Sequence, residues 1–324
     1  MKTIDPDIFV QGIVKENRRM IAKTITLIES SLKEHQQQAF KVMEKILPQT
    51  GKSIRVGITG VPGVGKSTFI ENLGVALADA GHKVAVLAVD PTSRRSGGSI
   101  LGDKTRMEKL AAHENAFIRP SPAGETLGGV AAKTREIMLV CEAAGFDIIL
   151  VETVGVGQSE TSVSSMVDFF LVLMIAGAGD ELQGIKKGVL ELADAITINK
   201  ADGDNLNAVE QAKRDLEIAM HLIQSESPSW STPILSCSSV IEGGTDNIWE
   251  MILDHNKKFK NSGEFELRRK HQSLAWMWTL VEDGLKQRFK NNAKINKAIP
   301  AISNKVENDI ISPTAAAEEL LSFL

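Results

Sequence analysis

A glycine-rich segment near residue 60 carries residue types that hold phosphate groups. The segment Gly60 to Thr68 reads GVPGVGKST, follows the apolar run Ile54 to Thr59 and matches the pattern G-x-x-x-x-G-K-[ST]. A helix that starts after such a turn presents unpaired backbone N–H groups to a phosphate. Lys66 would reach the terminal phosphates, and Ser67 would place its hydroxyl on Mg²⁺. The sequence therefore predicts a nucleotide site formed by Gly60, Val61, Pro62, Gly63, Val64, Gly65, Lys66, Ser67 and Thr68.

A second motif, NKAD at Asn199 to Asp202, specifies the base. Asp202 would accept both N–H groups on the edge of guanine, which adenine does not supply, while Asn199 braces the surrounding loops and Lys200 lies between them. A buried carboxylate that faces the wrong base stays unpaired, and that penalty makes the selection sharp. The two motifs together predict that the chain binds GTP and GDP.

Three acidic residues fall where nucleotide chemistry needs them. Asp90 ends the second predicted strand, Asp103 lies in the following segment GGSILGDKTRM, and Glu152 ends the run FDIILVE. The Glu152 carboxylate, at the end of its strand, can hold Mg²⁺ through water, and the N–H of Gly155 can reach the γ-phosphate. Ser67, Asp90, Asp103 and Glu152 are the predicted metal set. Each acid taken singly is also compatible with a solvated turn carboxylate or a helix cap.

The composition fits an enzyme-sized protein without a nucleic-acid or membrane partner. The chain has 324 residues and a net charge of −4, which does not favour binding to nucleic acid. Cys141 and Cys237 lie in apolar segments, and the six histidines lack metal-ligand spacing, so reduced thiols and a cytoplasmic location are expected. We find neither an export signal nor an apolar run long enough to span a bilayer.

The apolar patterning predicts an α/β fold with a doubly wound, mostly parallel sheet between two helical extensions. Residues 1–50 show helical spacing that starts at Asp5 and Pro6, and residues 51–260 alternate strands with helices. Residues 261–324 carry an apolar helical stripe and a short last helix starting at Ser312. The stripe either packs on the nucleotide domain or pairs with a second subunit, and a homodimer is favoured because long amphipathic helices with tryptophans suit interfaces. The strand runs are IRVGIT, KVAVLAVD, AFIR, FDIILVE, DFFLVLMI, DAITIN and PILSC.

The order of five segments resembles the MeaB/ArgK group of P-loop GTPases: GVPGVGKST, DPTSRRSGGSILGDKTRM, ETVGVGQSE, AGAGDELQGIKKG and NKAD. The resemblance covers nearly the whole chain, from NRRMIAKTITLIES near the start to PTAAAEELL at the end. It implies a homodimeric, GTP-dependent chaperone that protects and helps to load a cobalamin-dependent acyl-CoA mutase, chiefly methylmalonyl-CoA mutase. The human methylmalonic aciduria type A protein is a member of this group.

The resemblance also implies roles for individual residues. Lys66 and Ser67 contact the phosphates and Mg²⁺, the acids Asp90, Asp103 and Glu152 surround the metal and the attacking water, and Asn199 with Asp202 reads guanine. The loop that flanks the base usually reads S-A and here consists of Ser238, Ser239 and Val240. Ser239 thus replaces the alanine whose backbone N–H normally meets the guanine oxygen, and a backbone contact should survive this change.

The segment from Gly177 to Gly188 resembles an additional switch loop that senses the mutase. It carries two acids and two lysines, and contacts of Asp180 and Lys186 could change with nucleotide or partner. An ordinary loop before a solvated helix is the alternative. Val156 stands where Ras-like enzymes have a water-orienting glutamine, so intrinsic hydrolysis should be slow and partner-stimulated. The catalytic candidates are Lys66, Glu152, Asp103, Lys186 and Gln158, and the sequence leaves open whether Gln158, Glu152 or Lys186 positions the water.

Two other functions use the same nucleotide site. A kinase of a transport-system protein also binds a nucleoside triphosphate, although Asp202 argues against ATP as its phosphate donor. A nickel-insertion GTPase would be expected to carry a Cys/His cluster near the switch regions, and the sequence shows none. The sequence also lacks the cobalamin-binding pattern D-x-H-x-x-G, so any cobalamin would lie on the partner.

Overall fold

The computed structural model describes residues 5–89, 107–120, 127–153, 159–177, 187–220 and 227–324. The chain forms two compact units, Met1–Lys270 and His271–Leu324. The predicted division into residues 1–50, 51–260 and 261–324 stays a prediction. The helices are α1 Pro6–Val14, α2 Arg18–Glu29, α3 Lys33–Ile46, α4 Lys66–Asp79, α5 Glu108–Ala112, α6 Leu127–Ala143, α7 Ser159–Ser164, α8 Lys187–Glu191, α9 Leu206–Met220, α10 Asp246–Ser262, α11 Glu264–Asn291, α12 Ala293–Glu307 and α13 Pro313–Leu321. The strands are β1 Ile54–Gly60, β2 Val84–Val89, β3 Ala116–Arg119, β4 Ile148–Thr153, β5 Phe169–Ile175, β6 Ala195–Asn199 and β7 Ile234–Ser236.

The seven strands form one sheet in the order β3-β2-β4-β1-β5-β6-β7. Every described pairing between neighbours is parallel. The predicted parallel α/β architecture is confirmed, and each predicted apolar run contains one strand. Because β4, β1, β5 and β6 lie side by side, their carboxyl ends meet at one edge, where ligands bind in such sheets.

Strands in the middle of this sheet are largely apolar because helices cover both faces, and polar residues such as Arg55 and Glu152 lie near the strand ends. On one face, strand residues such as Phe170 pack with Ile25 of α2 and Met138 of α6. On the other face, strand residues such as Ile58 pack with Phe69 of α4 and Ile252 of α10. The helix α4, which starts in the phosphate-loop motif, is therefore fixed by its own buried side against the sheet.

Helices α1 and α2 each follow a short polar residue whose side chain caps the first turn. The Asp5 carboxylate accepts from Asp7 N at 2.9 Å, and Asn17 Oδ1 accepts from Met20 N at 3.1 Å. The buried side chains of α2 recur at helical spacing and include Ile21, Ile25 and Ile28. The helical N-terminal segment is thus part of the packed core of the first unit.

The amino ends of the strands carry a set of buried ion pairs, which we call the amino-edge ion pairs. They are Arg55 with Glu142, Arg269 with Asp168, and Arg268 with Asp194. Asp168 directly precedes β5, Asp194 directly precedes β6, and both arginine partners lie in the first turns of α11. The pairs of Arg268 and Arg269 therefore fasten the start of α11 to the sheet on the edge opposite the carboxyl ends, while the pair of Arg55 joins β1 to the end of α6.

The second unit contains the rest of α11 with α12 and α13. Ile295, Ile302 and Ala316 are buried where α12 and α13 pack. The predicted apolar stripe lies on α11 and consists of Leu274, Trp278, Val281, Leu285 and Phe289. Phe289 is half-buried, and the exposed fractions of the other four side chains run from 43 % for Val281 to 60 % for Trp278. The last helix begins with Ser312 as its cap, as the sequence indicates. None of the described helices is long and apolar enough to cross a bilayer.

Candidate nucleotide site

The loop between β1 and α4 has a backbone shape that glycine makes possible. Gly60 has φ +153° and Gly65 has φ +93°, values that other residues rarely adopt. A Cβ atom on Gly60 would lie 2.4 Å from Leu173 O, and one on Gly65 would lie 2.8 Å from Asn199 Nδ2. The two glycines therefore let the loop pack tightly against β5 and the end of β6.

Lys66 folds over the loop that precedes it. Its Nζ donates to Gly60 O at 2.7 Å and to Val61 O at 3.3 Å. Burial lowers the pKa of Lys66 below its ordinary value, while the carboxylates of Glu152 and Glu160 act against this shift. A partly buried ammonium that is bonded to neutral carbonyls can exchange them for phosphate oxygens, which offer it full charge compensation.

Ser67 and Glu152 bring two oxygen donors together at the carboxyl edge. Ser67 Oγ donates to Glu152 Oε1 at 3.0 Å, and Glu152 is buried at the end of β4 beside β1. A hydroxyl and a carboxylate are hard oxygen ligands of the kind that Mg²⁺ takes when it also binds phosphates. This pair fits the predicted metal site.

Asn199 links three parts of the site. Its Nδ2 donates to Val64 O at 2.8 Å, and its Oδ1 accepts from the Ser239 backbone N at 3.2 Å and from Ser239 Oγ at 2.7 Å. The Cys237 thiol approaches the same oxygen at 3.4 Å. The buried Asn199 side chain thus joins the phosphate loop to the loop after β7, which is the bracing role predicted from NKAD.

Asp202 is held by Ser238 of the loop that follows β7. Ser238 Oγ donates to Asp202 Oδ2 at 2.5 Å. Lys200, between Asn199 and Asp202, adopts φ +60°, and its carbonyl accepts from Asn205 Nδ2 at 2.9 Å. The bond from Ser238 orients the Asp202 carboxylate, while the side chain of Val240, two residues after Ser238, is 74 % exposed.

The comparisons with known proteins agree with this geometry. The family described as methylmalonyl Co-A mutase-associated GTPase MeaB matches residues 21–294. The chain belongs to the MeaB family. It is 50 % identical over 319 residues to a putative GTPase of Caulobacter vibrioides, covering 98 % of each chain. It is 45 % identical over 315 residues to the GTPase ArgK of Escherichia coli, covering 97 % of this chain and 95 % of that protein.

A mitochondrial relative and a solved structure extend this similarity. The methylmalonic aciduria type A homolog of Mus musculus is 41 % identical over 320 residues, which cover 96 % of this chain and 77 % of that protein. A crystal structure described as LAO/AO transport system kinase superposes with a TM-score of 0.79 at 37 % identity, covering 100 % of this chain and 98 % of the other. As a member of the MeaB family, the chain is a P-loop GTPase.

In this MeaB-family GTPase, 16 of the 21 predicted site positions lie among the described residues. Lys66, Ser67, Glu152, Asn199 and Asp202 lie at the carboxyl edge, where each makes the hydrogen bonds given above. Within the described ranges we find no group of three or more His, Cys, Asp and Glu side chains that could hold a metal ion. The predicted positions Asp90, Asp103, Gly155, Gln158 and Lys186, together with Val156 and Asp180, lie outside the described residues.

Two further residues contribute to the site without having been predicted from the sequence. Glu160 in α7 is 4 % exposed and acts electrostatically on Lys66. Its position eight residues after Glu152, in the first turn of a helix, was the available signal. Cys237 lies between β7 and the base-flanking loop, and burial raises the pKa of its thiol to about 12. Its contact with Asn199 depends on tertiary structure, so the sequence offered no specific signal for it.

Proposed function

We propose that this GTPase gates cofactor loading and protection of a cobalamin-dependent acyl-CoA mutase, with methylmalonyl-CoA mutase as its client. The observation that carries this proposal is the match of residues 21–294 to the mutase-associated family. The similarity to the methylmalonic aciduria type A homolog of Mus musculus supports it. In this function the nucleotide state of the chain sets whether the partner receives or retains its cofactor.

The nucleotide is held by groups at the carboxyl edge. Asp202 accepts from the guanine edge, and its hydrogen bond from Ser238 fixes the carboxylate for that contact. Lys66 moves from the carbonyls of Gly60 and Val61 to the terminal phosphates. The backbone of residues 60–68 surrounds the phosphate groups, since its glycines permit close approach. Lys200, Ser239 and Val240 complete the surroundings of the base.

Ser67 and Glu152 would hold Mg²⁺ on the phosphate side, with Asp90, Asp103 and the Gly155 N–H as the further predicted groups. The ion neutralises charge on the β- and γ-phosphates when bound. Ser67 supplies its hydroxyl from the first turn of α4, and Glu152 supplies its carboxylate from β4. Their present hydrogen bond shows that the two oxygen atoms share one small region.

Hydrolysis by the isolated chain is slow in this proposal, and the partner accelerates it. Glu152 is buried and bonded to Ser67, so its role is tied to the metal side of the site. Gln158, Asp103 and Lys186 remain the proposed groups for the water and the transferred phosphate. The segment 177–188 is the proposed sensor of the mutase because it carries Lys186.

The test combines the purified chain with candidate acyl-CoA mutases. Complex formation and GTP turnover are measured with GDP, a non-hydrolysable GTP analogue and ATP in parallel. We expect a nucleotide-dependent complex with methylmalonyl-CoA mutase and a higher turnover of GTP in that complex. Lys186→Ala should keep GTP affinity and lose the stimulation. If the chain binds none of the tested mutases, the proposed chaperone function is wrong.

A homodimer in the cytoplasm is the proposed assembly. The exposed stripe on α11 contains Leu274, Trp278, Val281 and Leu285, and each of these side chains is more than 40 % exposed. A monomeric protein gains by covering such a patch with a second copy. Sedimentation should show a dimer for the wild-type chain and a monomer for Trp278→Glu, and a monomeric wild-type chain would contradict this assembly.

A kinase of a transport-system protein is the second candidate. The solved structure with a TM-score of 0.79 carries that description. A kinase would transfer the labelled γ-phosphate of its nucleotide to a protein acceptor, whereas the proposed chaperone releases it as inorganic phosphate. Incubation with γ-labelled GTP and ATP, followed by separation of protein and phosphate, distinguishes the two functions.

A further inference from the structure

The Asn199 amide oxygen is a buried acceptor with three donors around it. Ser239 Oγ lies at 2.7 Å, the Ser239 backbone N at 3.2 Å and the Cys237 Sγ at 3.4 Å. Asn199 is 1 % exposed, so bulk water does not replace a lost donor. A buried acceptor that loses its hydrogen-bond partners is destabilising. The identity of these donors therefore matters when nucleotide binds.

A guanine base at the proposed site would compete for one of these donors. Ser239 directly follows Ser238, whose hydroxyl holds Asp202, so the Ser239 N–H lies next to the group that reads guanine N1–H. Guanine O6 is adjacent to N1 on the same edge of the base and needs a donor from this loop. A single N–H does not donate fully to O6 and to Asn199 together.

We propose that the Ser239 hydroxyl is a positioning group that keeps Asn199 bonded while the Ser239 N–H turns to the base. This inference rests on the proposed guanine site. With alanine at position 239, the nucleotide-bound state would leave the Asn199 oxygen with the Cys237 thiol, which is a weak donor at a long distance. The Ser239 hydroxyl is a second, separate donor to Asn199 at 2.7 Å. It can therefore keep this bond when the Ser239 N–H turns to the base.

The consequence reaches the phosphate loop. Asn199 Nδ2 donates to Val64 O, and the same amide stands 2.8 Å from the position of a Cβ atom on Gly65. An Asn199 side chain that loses its fixed orientation loosens both the base loop and the phosphate loop. The Ser239 hydroxyl therefore couples the two ends of the nucleotide through one side chain.

The test compares Ser239→Ala with the wild-type chain in the free and nucleotide-bound states. In the free protein, the Ser239 N–H still serves Asn199, so the melting temperature should stay close to that of the wild type. The dissociation constant for GDP, measured by titration calorimetry, should rise about tenfold, since one buried acceptor becomes poorly bonded only in the complex. The KM for GTP should rise by a similar factor with little change in kcat.

A conservative variant and the free-state measurement separate this role from simple loop stability. Ser239→Thr keeps the hydroxyl and should restore the affinity that Ser239→Ala loses. Equal destabilisation of the free and the GDP-bound alanine variant would overturn the proposal, as would unchanged GDP affinity. If the threonine variant unfolds at a lower temperature, the comparison of free and bound Ser239→Ala decides alone. A wild-type chain that does not bind GDP would instead remove the proposed guanine site itself.

Discussion

The two edges of the parallel sheet differ in how their charged side chains are bonded. At the amino edge, Asp168 receives both Arg269 Nε and Nη2 at 2.7 Å, and Asp194 receives both terminal nitrogens of Arg268 within 3.0 Å. At the carboxyl edge, the Lys66 ammonium is bonded to neutral backbone carbonyls. The charges of the first edge are paired within the protein, whereas the Lys66 ammonium of the second edge is bonded to carbonyls that an anionic ligand can replace.

This difference separates residues that hold the fold from residues that are proposed to hold the nucleotide. Bidentate pairs between arginine and carboxylate fix geometry and leave little capacity for a ligand. Hydroxyls and amides, such as Ser238 and Asn199, hold the site in place with bonds that ligand atoms can compete for. The predictions below test this division, starting with the largest expected effect.

Removal of Arg269 should break the amino edge and spare the nucleotide site. Arg269→Ala leaves the buried Asp168 without its bidentate partner and removes bonds to the carbonyls of Gly51 and Ser53. We expect a loss of about 3–5 kcal/mol in the free energy of unfolding. Urea denaturation measures this loss. GDP affinity measured well below the melting temperature should stay within a few-fold of the wild type, and a large fall there would show that the edges are coupled.

Removal of Lys66 should have the reverse result. Lys66→Ala deletes the cation that is proposed to meet the terminal phosphates, and GTP turnover should fall by about 100-fold or more. The free energy of unfolding without nucleotide should change little, since burial disfavours the charged form of this side chain. Single-turnover hydrolysis and urea denaturation of the same preparation measure both quantities. A variant with near-normal turnover would contradict the assignment of Lys66.

The Glu142 carboxylate should make the amino edge sensitive to acid. Burial raises its pKa, but hydrogen bonds and charge from Arg55, with bonds from Ser53 and Gly51, outweigh this and place the pKa below its ordinary value of 4.5. A lowered folded-state pKa contributes stability above the unfolded-state value, and that contribution is lost as pH falls through the folded-state value.

The matched variant for this carboxylate is Glu142→Gln. It should cost about 1–3 kcal/mol near neutral pH, because the bonds to Arg55 lose their charge. The variant should also lose less stability than the wild type when the pH is lowered from 5 to 3. Urea denaturation across this pH range gives both slopes. Parallel slopes for the two proteins would assign the acid sensitivity to other groups.

The smallest expected effect tests how the carboxyl edge prepares Asp202. Ser238→Ala removes the hydroxyl that donates to Asp202 Oδ2. GDP affinity should fall about fivefold, corresponding to the loss of one hydrogen bond of roughly 1 kcal/mol. Competition between GDP and inosine diphosphate measures whether base selectivity falls with it. An unchanged preference for guanine would show that Asp202 is held by the backbone alone.

Most elements of the fold could be predicted from the sequence because local patterns specify them. Each of the seven apolar runs contains a strand, since a strand covered on both faces must be apolar along its length. These local patterns do not determine the order of the strands in the sheet. Arg55 and Glu142 are far apart in the chain, and their pairing follows from the placement of β1 beside the end of α6.

The candidate site divides in the same way. Lys66, Ser67, Asn199 and Asp202 could be predicted as site residues because phosphate and guanine recognition require fixed residue types at short spacing. Glu160 and Cys237 belong to no such pattern and reach the site through the positions of α7 and β7. The double contact of Ser239 with Asn199 also depends on a side-chain direction that spacing alone does not define.

By itself, the sequence determined the nucleotide class, the parallel α/β architecture and the family of this protein. The reason is that the backbone near a phosphate and the edge of guanine tolerate few residue types. Only the tertiary structure decided which polar groups share partners: the amino edge with its closed ion pairs, and the carboxyl edge with Asn199 between two loops. Hydrogen bonds and desolvation act over a few ångströms in space, and that proximity arises when distant segments pack.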